Sequence, residues 1–467
     1  MAEADGPVHI VAPAKNGWRW SGQQVAWAFY ECARNPFYVL INIYVFSAYF
    51  VQTVVGDPVW GQALWGYILA AAAVIIALSA PILGAIADAG GRRKPWLLAC
   101  IAIAVPAIAV LALARPNMGR DAVFPIVVAL VLANVAYELS SIFYNALLAR
   151  VAPRERLGSV SGLAYALANF SGVVLFGAYL IGVAWLAGVD RGAIVAHLPE
   201  RATALVVALW FFVFSLPLLI VVRDVERSDR ATIDIIKSGL GRLSTAISRL
   251  RQLPDLLAYL LARMIFNEGF IVLMLFMGVF SAGILNWTAQ QLSVLGIILS
   301  VVAVGGSFAG GWLDDRIGSL RTLRICILGS LAANILLITI TPSEVLFIPV
   351  DTHATGGLYP RAADWMFCFT EGLAAFFVTA GLVSSRVMLA KLAPPDALNE
   401  MFSLYALSGT ATSFLGPLTI ALLTQMSGSQ RVGLTAGILF LLGGLLLLRR
   451  VREGATAVPP LTDRELP

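Results

Sequence analysis

Charge is scarce in this sequence. Of 467 residues 13% are charged and 59% are hydrophobic. So few charges cannot coat the several water-facing domains that such a length would otherwise suggest. Histidine is scarcer still. His9, His197 and His353 are the whole set, and all three fall in expected loops, so none is placed for an intramembrane proton relay. The four cysteines, Cys32, Cys100, Cys326 and Cys368, lie in apolar segments without metal-like spacing and are expected as buried free thiols. No cofactor or metal is implied. No lysine follows a glycine, which excludes a Walker A loop and a pump built on one. His-Glu-x-x-His does not occur, and "GSVSG" at 158–162 is not Gly-x-Ser-x-Gly, so an enzyme is not expected. The first 20 residues carry Glu3, Asp5, Lys15 and Arg19 without an apolar core, unlike a cleavable signal peptide.

What is present is a series of apolar runs of 18 residues or more, the signature of transmembrane helices. Twelve are expected, at 24–54, 62–87, 95–114, 123–149, 157–187, 202–222, 256–283, 290–313, 321–341, 363–391, 401–425 and 432–449. An even number returns the chain to its starting side. Of 32 lysines and arginines, 24 fall on the side of the termini, six on the other and two, Arg34 and Arg263, inside helices. The positive-inside rule therefore places both termini in the cytoplasm. The net charge of +5 is a topology effect and implies no nucleic-acid partner. A multi-pass protein of a bacterial inner membrane, monomeric in the bilayer, is the expectation.

The chain repeats itself. Gly84-x-x-x-Asp88-x-x-Gly91-Arg92-Arg93 returns as Gly311-x-x-x-Asp315-Arg316-x-Gly318, and Ala152-Pro-Arg-Glu-Arg-Leu157 returns as Ala393-Pro-Pro-Asp-Ala-Leu398. Two motifs in one order point to duplicated six-helix halves. The expected division is an N-terminal segment 1–23, a first half 24–222, a linker 223–255, a second half 256–449 and a tail 450–467. In the linker, Ile236, Leu240, Leu243, Ile247 and Leu250 recur at spacings of three and four among Lys237, Arg242 and Arg249, the pattern of an interfacial amphipathic helix.

The doubled Gly-x-x-x-Asp-x-x-Gly motif resembles the major facilitator signature. The resemblance implies that Asp88 latches onto the start of helix eleven near 399–403, and Asp315 onto the start of helix five near 157–161, shutting the cytoplasmic side. A narrower resemblance, to the autophagy-related vacuolar amino-acid effluxers of that superfamily, rests on several stretches. These are Trp27-Ala-Phe-Tyr-Glu31-Cys-Ala-Arg-Asn35, Phe143-Tyr-Asn145-Ala-Leu147 with Arg156 and Ser161-Gly162, and Phe266-Asn267-Glu268-Gly269. Ser385-Arg386, Phe402-Ser-Leu-Tyr405 and Leu415-Gly-Pro417 also fit. The sequence departs from that pattern at Glu31 and Glu268, where aspartate is usual, and Arg34 is additional.

Six charges lie inside the expected span: Glu31, Arg34, Glu138, Arg263, Glu268 and Glu371. Facing lipid, they would together cost roughly 15–21 kcal/mol by insertion scales. They are therefore expected to face a cavity, pair or become neutral. The glutamates fall on helices one, four, seven and ten, which in the superfamily line the central cavity. Glu31 and Arg34, three apart, are expected to pair, with Arg263 a competitor for Glu31. Glu138 has no basic residue within a turn and is the first candidate for a proton site. Pro36 is expected to let helix one bend. Asn35, Asn145 and Asn267 complete the candidate site, while Asn42, Asn134 and Asn169 read as packing contacts. Gly158, Gly162, Gly305, Gly306 and Gly310 are expected to admit close helix packing.

The function expected is secondary transport of a small polar solute by alternating access, with proton coupling open. A sugar–cation symporter of the same superfamily and a non-transporting sensor or lipid handler stand as alternatives.

Overall fold

The structure is a computed structural model that describes residues 20–88, 92–153, 156–187, 197–224, 241, 244–352, 356–394 and 397–452. Twelve helices in it are long and apolar enough to cross a membrane. They are α1 (Gly22–Val54), α2 (Pro58–Asp88), α3 (Lys94–Val110), α4 (Arg120–Val151), α5 (Leu157–Ala187) and α6 (Leu198–Val221). The second half comprises α7 (Pro254–Leu285), α8 (Ala289–Ile317), α9 (Ser319–Thr339), α10 (Ala362–Leu392), α11 and α12 (Gln430–Leu447). A two-residue-per-strand hairpin, β1 (Glu344–Val345) and β2 (Ile348–Pro349), lies between α9 and α10. Large apolar side chains such as Leu78, Ile181, Ile220 and Phe308 are exposed on the outside, where acyl chains would solvate them.

Two helices depart from regular winding. In α1 the α-helical stretch ends at Pro36, and Phe37–Tyr44 and Phe50–Val54 are wound as π-helix. Proline removes a backbone donor and admits such a change of winding. The expectation at Pro36 was a bend, and the structure answers with a wider turn. α11, expected to be continuous, consists of Leu398–Thr412 and Leu415–Ser427 with a turn at 413–414 between them. Pro417 explains the break, because it lacks the N–H that would bond the Ser413 carbonyl and its ring crowds that carbonyl.

Close packing is uneven along the small-residue positions. A Cβ on Gly306 would stand 2.5 Å from the Phe376 carbonyl, and one on Gly310 2.8 Å from that of Ala380, so α8 meets α10 backbone to backbone. Gly162 and Gly305 have nothing within 4 Å, against expectation, and Gly158 has no described side-chain surroundings. Asn42 donates to the Asn134 side chain at 2.9 Å and joins α1 to α4. Asn169 turns back to its own helix at the Tyr165 carbonyl. Of the linker stripe, Leu250 is buried and Ile247 exposed, and Arg249 lies 3.7 Å from Glu400 at the start of α11. Ile236, Lys237, Leu240, Arg242 and Leu243 lie outside the described residues. Cys32 and Cys326 are buried, Cys100 and Cys368 half-buried, and all four are free.

Candidate functional site

In the first half, α1 and α4 bring three charges together. The Arg34 guanidinium lies 3.1 Å from Glu31 Oε1, donates to the Tyr137 carbonyl at 3.2 Å, and stands 4.2 Å over the Tyr137 ring. The Arg34 side chain is 7% exposed and that of Glu31 29%, so the pair sits at the edge of an accessible space. Glu138, one residue beyond Tyr137, is exposed, with Arg34 and Glu31 as its charged neighbours. The trio is two carboxylates to one guanidinium. Asn35 is not part of it: its amide donates to the Ala168 carbonyl at 2.7 Å and anchors α1 to α5. Asn145 is exposed three turns of α4 or less from the basic end, and Asn267 is half-buried.

The second half answers with one cation. Arg263 donates to the Tyr405 carbonyl at 2.8 Å and to Ser408 Oγ at 2.7 Å, with its guanidinium 3.5 Å over the Tyr405 ring. It therefore does not compete for Glu31, because α11 supplies neutral acceptors and a π face closer by. Its Nε, like that of Arg34, has no acceptor. Behind it, Tyr259 and Tyr405 share Ser385, linking α7, α10 and α11.

Glu268 does not line the accessible space. It is fully buried, and its Oε2 accepts the Gly416 N–H at 2.9 Å, capping the outer piece of α11. Carboxylates stabilise helix N-termini, and one placed at a break within the membrane satisfies a donor that water cannot reach. Thr412, on the other side of the break, donates to the Met264 carbonyl at 3.2 Å. α7 thus grips α11 above and below its interruption.

Glu371 on α10 is 2% exposed, its Oε1 lacks a partner, and no cation is described beside it. Its neighbour on α1 is Tyr44, the last residue of the first π-wound stretch. Tyr44 in turn packs edge-on against Phe176 of α5, both closing over Gly296 of α8.

The two ends of the molecule differ. At the end away from the chain termini, polar side chains stitch the halves. Gln62 donates to Thr424 at 2.9 Å and to the Gln430 carbonyl at 3.1 Å, and Gln430 donates to the Pro58 carbonyl at 2.9 Å. Tyr67 bonds Gln425, and Gln52 bonds the Ala282 carbonyl. A Cβ on Gly66 would stand 2.6 Å from the Pro417 carbonyl, so α2 and outer α11 touch through backbone. Toward the arginine-rich end, Asn145, Phe402 and Ser403 are exposed, and a Cβ on Gly84 or Gly311 would meet nothing within 4 Å. Polar side chains and close backbone contact thus join the halves at the far end.

The repeated motif sits at the arginine-rich end. Gly318 has φ +87° and turns α8 into α9, the one described glycine of the motif whose backbone requires it. Asp315 is exposed, and Arg316 covers the Trp312 ring at 4.1 Å. The buried aspartate is instead Asp314, which accepts from Ser384 of α10 at 2.8 Å. Arg92 is exposed, and Arg93 donates to the Ala146 carbonyl of α4. Gly91 and the side chain of Asp88 lie outside the described residues.

Several residues escaped the sequence reading. Asp224 accepts the backbone N–H groups of Arg93 and Lys94 and caps α3. Buried Asp364 gathers Trp287 Nε1 at 2.8 Å and Arg361 at 2.7 Å. The double acid Asp314-Asp315 was the available signal for the first of the two buried aspartates. The glutamine clasp and the two tyrosine platforms had none, because they exist only as contacts between distant helices.

Comparison with known proteins follows these lines. The family model described as vacuole effluxer Atg22 like matches residues 153–455. The MFS-type transporter YxiO of Bacillus subtilis is 23% identical over 464 residues, 96% of this chain and 99% of that protein. Autophagy-related protein 22 of Cryptococcus neoformans is 25% identical over 302 residues, 62% of this chain and 50% of its own length. The chain thus spans about half the length of that fungal relative. Among solved structures, a D-xylose–proton symporter superposes with TM-score 0.63 at 15% identity, covering 92% of this chain and 98% of the other. A bacterial homologue of the human lysosomal transporter Spinster, inward-facing and unoccupied, gives 0.61 at 16% identity over 92% and 96%. At such identities the superpositions establish the shared fold.

Proposed function

The chain belongs to the vacuole effluxer Atg22-like family of major facilitator transporters, and we propose that its cargo is a small zwitterionic solute, an amino acid or similar, moved by alternating access. The observation that carries this reading is the division of charge between the halves. Glu31 and Glu138 outnumber Arg34 on one side, and Arg263, held by neutral groups, stands on the other. An ammonium group is held by Glu138 and a carboxylate by Arg263, so that one solute ties the two halves together. The joining of the halves at the far end supports the direction of access: the basic end is the cytoplasmic one, and this is the inward-open state. The bacterial relative of matching length supports a location in the bacterial cytoplasmic membrane.

Coupling, in this reading, is to protons at Glu371 rather than Glu138. A charge at Glu371 would stand alone among apolar groups, which costs several kcal/mol, and taking up a proton removes that cost. Glu138 is accessible and keeps Arg34 as a neighbour.

The test is thermal stabilisation of the purified protein, followed by transport in proteoliposomes. Amino acids are expected to raise the melting temperature, and matched acids lacking the amine, amines lacking the acid, and sugars are not. Stabilisation by sugars alone overturns the reading. Glu371→Gln is expected to retain solute exchange and to lose accumulation driven by a pH gradient. Gradient-driven accumulation equal to that of the parent removes Glu371 as the proton site.

A further inference from the structure

The hairpin between α9 and α10 has the wrong residues for its turn. Glu344 pairs with Pro349 and Val345 with Ile348, leaving Leu346 and Phe347 as a two-residue loop. Both have positive φ, +53° and +61°. Such loops favour Asn-Gly, and an L-residue with a large side chain is strained in this region. Yet these side chains are not used for packing: Leu346 is 50% exposed, Phe347 75% and Ile348 63%. A turn of disfavoured, exposed apolar residues has no rationale in water.

Its depth supplies one. α9 runs 21 residues, Ser319–Thr339, about 31 Å at 1.5 Å per residue, which is about the thickness of the bilayer hydrocarbon. Thr339 therefore marks the boundary of the hydrocarbon at the far end. The hairpin does not rise away from it. The Leu346 N–H donates to Thr339 Oγ1 at 3.3 Å, and the Thr341 N–H donates to the Glu344 carbonyl at 2.8 Å, folding the loop back on the helix end. The tip is thus level with the last residue of α9. Ile335, one turn back on α9, is exposed as well, so the apolar tip continues the lipid-facing side of that helix.

We propose that Leu346, Phe347 and Ile348 insert into the far leaflet at the headgroup–acyl boundary and anchor the far end of α9 and α10. The occupant of this surface is lipid. Exposed apolar side chains at that depth gain from burial in the interface, and an aromatic ring is favoured there. The six residues 345–350 carry no charge, whereas Glu344 and Asp351 flank them, so the anchor fits a neutral or zwitterionic lipid surface.

The test is site-directed spin labelling of the full chain in phosphatidylcholine vesicles, at Phe347→Cys and separately at Ile348→Cys. Ile335→Cys serves as the lipid reference and Thr352→Cys as the aqueous one. Labels at 347 and 348 are expected to collide with oxygen as the lipid reference does, and several-fold less than Thr352→Cys with a water-soluble nickel chelate. Collision with nickel equal to the aqueous reference overturns the proposal. So does shielding from both reagents, which would mean that protein, such as a second copy, covers the tip. Agreement of the two sites guards against a label that disturbs one of them.

Discussion

Arg34 and Arg263 hold one pose in the two halves. Each donates to the main-chain carbonyl of the tyrosine whose ring it covers, Tyr137 and Tyr405. A desolvated cation–π contact is worth about 2 kcal/mol, and only a planar guanidinium makes it while also donating sideways. Arg263→Lys is accordingly expected to lower stability by about 1–3 kcal/mol, read by chemical or thermal denaturation in one detergent. A lysine variant as stable as the parent would mean that the ring contact contributes little. The Glu31–Arg34 pair was legible, because residues three apart on a helix are neighbours whatever surrounds them. The partners of Asn35 and Arg263 are not legible for the complementary reason. Their partners, Ala168 and Tyr405, are 133 and 142 residues away in sequence, and no local spacing encodes which carbonyl a side chain will meet.

At the scale of the element, periodicity and length delimit helices well but do not reveal an interruption inside an apolar run. The twelve spans begin and end within a few residues of expectation, whereas the break of α11 passed unseen although Gly416-Pro417 announced it. That break decides what Glu268 does. A carboxylate accepting a backbone N–H at a helix start is a strong, charge-assisted bond. Glu268→Leu is expected to cost about 1–3 kcal/mol by leaving the Gly416 donor without its acceptor, and Glu268→Gln less, since its carbonyl can still accept. Melting curves of the two variants check this. Equal melting temperatures for Leu and parent would remove the cap from the account. Gly416→Ala is expected to be destabilising too, because a Cβ there would stand 3.0 Å from Glu268 Oε2.

Across the whole molecule, the polar clasp closes one end while the repeated motif waits at the other. Gln62→Cys with Thr424→Cys, at positions whose side chains bond at 2.9 Å, is expected to be joined by a short bis-methanethiosulfonate reagent and to stop transport until reduced. Transport that continues through the cross-linked protein would show that this end need not part. Asp315 is exposed in the present state, so Asp315→Asn is expected to leave its stability within about 0.5 kcal/mol. If Asp315 latches the opposite state, as the motif implies, the same variant transports more slowly. A normal rate removes the latch.

The π-wound stretch of α1 has one more consequence. A π turn holds one residue more than an α turn, so Phe37–Tyr44 carries slack in the chain. Shortening a membrane helix by one residue ordinarily rotates everything beyond the deletion by about 100°. Here a deletion at Val39 can be absorbed by rewinding to α, leaving the faces of Phe46–Tyr49 where they were. Such a deletion is expected to fold, whereas the same loss at Leu130 in α4 is not, and yields of monodisperse protein would tell them apart. In α1, the helix that bears Glu31 and Tyr44, phase is adjustable.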